Sequence, residues 1–371
     1  MTKYDFGLDA IEKFVAANEV QATRFMLKNI SKNDTATVAV SKIGKKFVSN
    51  SSVDETTETA GKIETTDMTD ELASRLFFPQ KRTVNKGTFG KAYVVAGSEI
   101  YPGAALLSAL AAEKVGAGYS GLFTVKKVAN TVLLRRPELL TGTLPERRGK
   151  ITPPLFGKKA AFSRVLGAEC VAVGMGMTPG RGTHRTVKFL LANFGGTLII
   201  DADGLNALAA FGTEILKSRN KNCRVVLTPH PAEFARLTGK RVAEILASPE
   251  KTAAAFAKEF GVTVLLKGAD TIVTDGAEIY RSSSGSPGMA KAGSGDVLSG
   301  VLCGLFARKS RGNLPFSDPF VAAAGAFLAG RAGEKAESSR SPYTTDPVQE
   351  IDCLSSVIDD WYRKNLSAGK R

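Results

Sequence analysis

The chain has 371 residues, 43% of them hydrophobic, and its 50 basic against 36 acidic side chains give a net charge of +14. That length allows one large domain or two ordinary ones with a sizeable core, and the longest apolar run, Phe320 to Gly330, is too short to span a bilayer. The positive excess attracts polyanions, but one Trp and basic residues dispersed in pairs such as Arg135-Arg136 argue against nucleic acid and for phosphorylated small molecules.

In chain order, the first ten residues carry early acids and no apolar core, so they are neither a secretory signal nor a transit peptide, and a cytoplasmic location is expected. Residues 1–78 are rich in Thr, Ser, Lys, Glu and Asp. They are read as a polar, partly disordered appendage or remnant ahead of a domain spanning residues 79–371. Within the appendage, residues 8–30 suit a helix and residues 50–59 a loop. The boundary is expected in Thr66 to Ala73, whose capping residues suit a short helix start.

From Lys91 the pattern changes. Short apolar runs at 92–96, 120–125, 170–173, 197–200, 224–227 and 262–266 alternate with helical stretches, the first of them Ala104 to Val115. Runs apolar on both faces and separated by helices indicate an α/β domain in three layers: a mostly parallel central sheet with helices on both faces. Ligands of such sheets gather at the strand carboxyl ends. There the sequence places Gly174-Met-Gly176, Asp201-Ala-Asp-Gly-Leu-Asn206, Thr228-Pro-His-Pro-Ala-Glu233 and Lys267-Gly-Ala-Asp-Thr271. Each alone suits a turn; on one rim they point to a ligand site. His230, between two prolines, is either part of a rigid turn or a contact to substrate. Cys170, Cys223, Cys303 and Cys353 are far apart, which suggests neither a disulfide framework nor a zinc site.

The stretch from Gly285 to Gly300 passes from loop to helix, with Val297, Leu298, Val301, Leu302, Leu305 and Phe306 on one face. The first turn of a helix leaves N–H groups free for an anion; Gly293 and Gly295 allow close approach, and Ser294 adds a hydroxyl. Asp296 would repel a phosphate there. Its presence is explained either by accepting a proton from a substrate hydroxyl or by capping the helix. Phe320 to Ala336 reads as a closely packing Ala/Gly helix, Ser355 to Asn365 as a last surface helix, and the basic tail as frayed.

Ala292-Gly-Ser-Gly-Asp-Val-Leu-Ser-Gly300 resembles the anion-hole signature of the ribokinase-like superfamily, whose members transfer a phosphoryl group from ATP or ADP to a hydroxyl. With Asn85 to Ser98, Tyr101 to Leu107, Val115 to Gly118 and the strand-end motifs, residues 80–365 resemble the ADP- or ATP-dependent NAD(P)H-hydrate dehydratases. The resemblance implies a ribokinase-like fold and dehydration of NADH or NADPH hydrate at the expense of ADP or ATP, with Mg2+ bridging the nucleotide phosphates. It implies that Ala104, Gly176, His230 and Asp296 line the hydrate site, with Asp296 as the base, and that Lys267, Gly268, Ala269, Asp270 and Thr271 with Gly295 hold the nucleotide. A homo-oligomer, as a tetramer, is expected from the same source. Lys291 departs from the pattern: it stands where a small polar residue such as Thr is expected, and would place a cation beside the phosphates. Many relatives carry an epimerase domain of about two hundred residues ahead of this one, which 78 residues cannot contain, so no epimerase activity is expected. A small-molecule kinase of the same fold and a non-catalytic nucleotide or RNA binder are the competing readings.

Overall fold

The structure, a computed structural model, describes residues 64–153 and 162–368. The helix and loop expected at 8–30 and 50–59, and the end of the tail, lie outside the described residues. Strands are β1 (Thr65–Asp67), β2 (Lys91–Val95), β3 (Tyr119–Thr124), β4 (Leu140–Thr143), β5 (Glu146–Arg147), β6 (Lys150–Ile151), β7 (Cys170–Val173), β8 (Thr197–Ile200), β9 (Arg224–Leu227), β10 (Thr263–Leu266), β11 (Thr271–Thr274) and β12 (Ile279–Ser282). The α-helices are α1 (Asp70–Ser74), α2 (Pro102–Lys114), α3 (Lys126–Arg135), α4 (Ser163–Leu166), α5 (Arg181–Asn193), α6 (Asp203–Phe211), α7 (Pro231–Thr238), α8 (Val242–Ala247), α9 (Pro249–Phe260), α10 (Ser294–Gly312), α11 (Asp318–Ser338) and α12 (Pro347–Ala368).

Ten strands form one sheet in the order β1-β12-β11-β10-β9-β8-β7-β2-β3-β4. Every neighbouring pair is parallel except the two that β11 makes, with β10 and β12. β7 to β10 are buried along their length apart from Arg224, because helices pack on both faces and no side faces water. The chain runs from β2 outward to β4, then returns to β7 on the other side of β2. The β2–β7 junction is therefore where strand order reverses, the place where such a sheet opens a crevice.

The sheet is mostly parallel with helices around it, as expected from the sequence. α10 lies close to α2 because Gly300 and Gly304 leave room: a Cβ would stand 2.1 Å from Ser108 O at the first and 2.3 Å from Val115 Cγ2 at the second. Among the described residues no helix is long and apolar enough to cross a membrane.

Two expectations are corrected. The division after residue 78 comes too late, since residues 65–77 are packed into the domain that follows. β1 pairs with β12, Thr69 caps α1 by accepting from Leu72 N, and Met68, Ala73, Leu76 and Phe77 are buried. The Arg308 guanidinium donates to Leu76 O at 3.0 Å and Val115 O at 3.1 Å, and lies 4.9 Å over the Phe77 ring. Burial pulls it down to about 10, below the ordinary arginine value. The last helix starts at Pro347, not Ser355. Asp346 Oδ1 accepts from Val348 N and Gln349 N, with Pro at the first helical position, so Asp346-Pro347 is a helix start that the sequence reading passed over.

Candidate active site

The strand order sets Lys267, Thr228, Asp201 and Gly174 side by side at the carboxyl ends of β10, β9, β8 and β7. The N-terminus of α10 meets this row. Asp201, 2% exposed, accepts from Lys267 Nζ at 2.9 Å, Thr228 Oγ1 at 2.9 Å and Ser299 Oγ at 2.8 Å. A buried carboxylate with a cation and two hydroxyls is well satisfied, and it fixes Lys267 in turn. The Lys267 ammonium lies 3.7 Å from where a Cβ on Gly295 would be. Burial alone would lower its pKa, but Asp201, Glu233 and Asp296 outweigh that and hold it above the usual lysine value. The ammonium therefore stands charged beside the helix end.

Replacing Lys267 by Met would leave Asp201 with two hydroxyl donors and no cation. Stability is expected to fall by about 3 kcal/mol, the low end for breaking a buried pair, as read from the urea midpoint. A loss under about 1 kcal/mol would show that Thr228 and Ser299 suffice.

Asp296 is the third residue of α10. The N-cap is Gly293 and no side chain makes a cap bond, which rules out the capping explanation. Among the described residues the Asp296 carboxylate makes no hydrogen bond. Burial, helped by Asp201 and Asp203 and opposed by Lys267, pushes it up to about 7. A carboxyl with free oxygens and a pKa near neutrality suits a general base.

On the other flank, Gly176 has φ +61°, and a Cβ there would stand 2.9 Å from both Ala104 Cβ and Tyr101 Cβ. The two residues expected at the hydrate site are thus neighbours. One turn along α2, Leu107 touches the anion loop, its Cδ1 2.9 Å from a Cβ on Gly293. Asp203 Oδ2 accepts from Thr178 N at 2.8 Å, closing the loop after β7 onto α6.

His230 is both turn and rim. Its Nδ1 accepts from Ala232 N at 3.2 Å and Glu233 N at 3.4 Å, while Glu233 Oε2 accepts from His230 N at 2.9 Å, a capping box for α7. With Nδ1 accepting, the hydrogen-bond pattern assigns the proton to Nε2. Burial first, then Lys267 and Arg236, lower its pKa against the pull of Asp201, so the ring is neutral. The ring is half-exposed, and its Nε2 lies 3.6 Å from Glu233 Oε2.

Two expectations about the anion loop change. The Ser294 hydroxyl donates to Glu350 Oε1 at 2.7 Å, so its proton is committed away from any phosphate. The Lys291 ammonium is turned to backbone carbonyls of Tyr343 and Thr345 instead of standing beside the phosphates. Gly268, Ala269 and Asp270 form an exposed turn closed by Thr271, whose hydroxyl donates to Gly268 O at 3.3 Å. That turn adjoins the rim through Lys267.

The family model for NAD(P)H-hydrate dehydratases matches residues 92–354. The chain belongs to the NAD(P)H-hydrate dehydratase family. A bifunctional NAD(P)H-hydrate repair enzyme of Moorella thermoacetica is 37% identical over 281 residues, covering 74% of this chain and 50% of that protein. An ADP-dependent (S)-NAD(P)H-hydrate dehydratase of Neisseria meningitidis is 34% identical, covering 69% of this chain and 80% of that one. The chain spans about half the length of the bifunctional relatives it matches. In fold it is similar to an ADP/ATP-dependent NAD(P)H-hydrate dehydratase of Bacillus subtilis co-crystallised with ATP and Mg2+, at TM-score 0.67 and 23% identity, covering 81% of this chain and all of that one.

Within this dehydratase-family fold, Ser299 and Glu350 take part in the site without having been singled out from sequence. Both are polar residues on otherwise apolar helix faces, Ser299 among Val297, Val301 and Leu302, and Glu350 beside Ile351 and Leu354. That placement is a legible signal. Among the described residues no three His, Cys, Asp or Glu converge on one point that would hold Mg2+, and Asp201 already accepts from three donors.

Proposed function

We propose that this rim dehydrates the hydrate of NADH or NADPH, using ADP or ATP to activate the ring hydroxyl. The observation that carries it is Asp296, a carboxyl with unbonded oxygens poised near neutrality in the first turn of α10, beside the charged Lys267. Asp296 takes the proton of the hydroxyl as its oxygen bonds to the terminal phosphorus of the nucleotide, and the bridging P–O bond breaks to release the shortened nucleotide. The N–H groups of Gly293 and Gly295 and the Lys267 ammonium face the charge that develops on the phosphoryl oxygens. The phosphorylated hydroxyl then leaves as inorganic phosphate, a far better leaving group than hydroxide. Loss of a proton from the neighbouring ring carbon restores the double bond. On this reading Ala104 and Gly176 shape the ring side of the crevice, and the His230 Nε2–H donates to the dinucleotide. Magnesium fits as an ion carried on the nucleotide phosphates, where it would neutralise charge.

The test is an assay of purified protein with the hydrate, Mg2+ and either nucleotide, following recovery of the near-ultraviolet absorbance of reduced nicotinamide. Recovery with one or both nucleotides is expected. No recovery, with phosphorylation of a vitamin-like alcohol instead, would replace this reading by a small-molecule kinase. Salt-resistant polyanion binding without turnover would replace it by a binding protein.

A further inference from the structure

The anion loop is pinned along its length. Glu334 Oε1 on α11 accepts from Gly285 N at 2.9 Å, and Glu337 Oε2 accepts from Gly288 N at 2.8 Å. Nearer to Gly293 the pins come from the segment leading into α12. Lys291 Nζ donates to Tyr343 O at 2.8 Å and also to Thr345 O. Thr345 is fully buried, and Gly288 lies so close that a Cβ there would stand 2.9 Å from Thr345 Cβ.

Glu350 completes this arrangement. It is 1% exposed; Oε1 accepts the Ser294 hydroxyl, and Oε2 is buried with no hydrogen-bond partner. Burial pushes its carboxyl above the usual range, aided by Asp346 and opposed by the Ser294 hydroxyl and the Lys291 charge. A carboxylate left uncompensated behind a phosphate site would repel the ligand, and buried carbonyls without a donor are unfavourable. The Lys291 ammonium, a compact charge with three donors, meets the exposed Tyr343 carbonyl and the Thr345 carbonyl directly and acts on Glu350 through its charge.

We propose that residues 343–350 form a cradle for an ammonium-sized monovalent cation, which the chain fills with its own Lys291, and that this holds Gly293 to Gly295 in phosphate-binding geometry. Lys291 is then a positioning residue that never touches the nucleotide. The inference rests on the nucleotide-dependent reading of the site. It explains why a lysine stands where a small polar residue is expected: its ammonium ties the loop to the Tyr343 and Thr345 carbonyls, and its charge opposes the rise of the Glu350 carboxyl.

Lys291→Met in the full chain tests this. Nucleotide Kd by calorimetry and nucleotide KM are expected to rise on the order of tenfold, with kcat changed far less. Ammonium chloride should restore most of that loss, whereas tetramethylammonium chloride at equal ionic strength should not, being too large to sit between the carbonyls. The unmodified protein should not distinguish the two salts. Lys291→Thr carries the same expectation and serves if the Met variant does not fold. An unchanged Kd, or a raised Kd equally insensitive to both salts, overturns the proposal. If the unmodified protein binds nucleotide but does not dehydrate the hydrate, the dehydratase reading fails while the calorimetry still decides the cradle.

Discussion

Asp296→Asn is expected to lower turnover by about 10²-fold or more while making the folded protein more stable above about pH 7. The first effect follows from losing the proton acceptor at nearly constant volume, in a residue that makes no cap bond and so contributes nothing of that kind to α10. The second follows from the sign of the pKa shift. The carboxyl is raised from 3.8 to about 7 by burial and by Asp201 and Asp203, so the folded state holds the proton more tightly than the unfolded chain does. Below the ordinary carboxylate range both states are protonated and there is no penalty. As pH rises toward about 7 the unfolded chain ionises freely while the folded one resists, and stability declines; above about 7 the penalty is complete, a few kcal/mol before solvent screening reduces it. Asn does not titrate, so the variant escapes that decline. Nucleotide affinity should hold or rise slightly, because a negative charge is lost beside the phosphates.

The same titration predicts the pH–rate profile. The base must be ionised to accept the proton, so activity of the unmodified protein should fall as pH drops through about 7, and residual activity of the variant should lack that limb. Rates and thermal melts of both proteins on either side of neutrality check all of this together. A near-normal rate for Asp296→Asn would sink the mechanism.

Much of the architecture is legible because the sheet is covered on both faces: Cys170-Val-Ala-Val173 and Thr197-Leu-Ile-Ile200 admit no reading but buried strands once helices flank them. β1, β11 and β12 are not legible in that way. They are short and carry Thr, Ser and Arg; β1 owes its pairing to a partner far along the chain, as Thr65 does to Ile279, while β11 and β12 pair with chain neighbours but lack a long apolar run to mark them. The site divides along the same line. Backbone requirements such as those of Gly176 and Gly293 leave a local trace, and the base is marked by a carboxylate where an anion should bind. The bonds from Ser299 and Lys267 to Asp201 span 98 and 66 residues, and spacing cannot report them. The commitment of Ser294 to Glu350 is of the same kind, and it reverses the role that the local motif suggests for that hydroxyl.

Residues 64–78 give the other large expected effect. A variant beginning at residue 79, which the composition break would recommend, is expected to unfold or to lose most of its stability, whereas one beginning at residue 64 keeps every contact described above. Three large buried side chains, Met68, Leu76 and Phe77, would go, each contributing about 1.5–3 kcal/mol by burial. The loss extends to groups left behind. Arg308 would lose the Leu76 carbonyl and the Phe77 ring, Trp361 Nε1 its acceptor Asp70 Oδ1 at 2.7 Å, and Asn365 Nδ2 the carbonyls of Ser74 and Phe77, both at 2.9 Å. Arg308 would be the most costly of these, a cation whose charge burial already disfavours and which would keep only Val115 O. β12 would also lose β1 and expose its backbone edge. Together these losses rival the whole stability of an ordinary domain, roughly 5–15 kcal/mol. Circular dichroism melts of the two truncated proteins decide the point: equal melting temperatures would mean that the segment contributes nothing to the fold and that the domain does begin at residue 79.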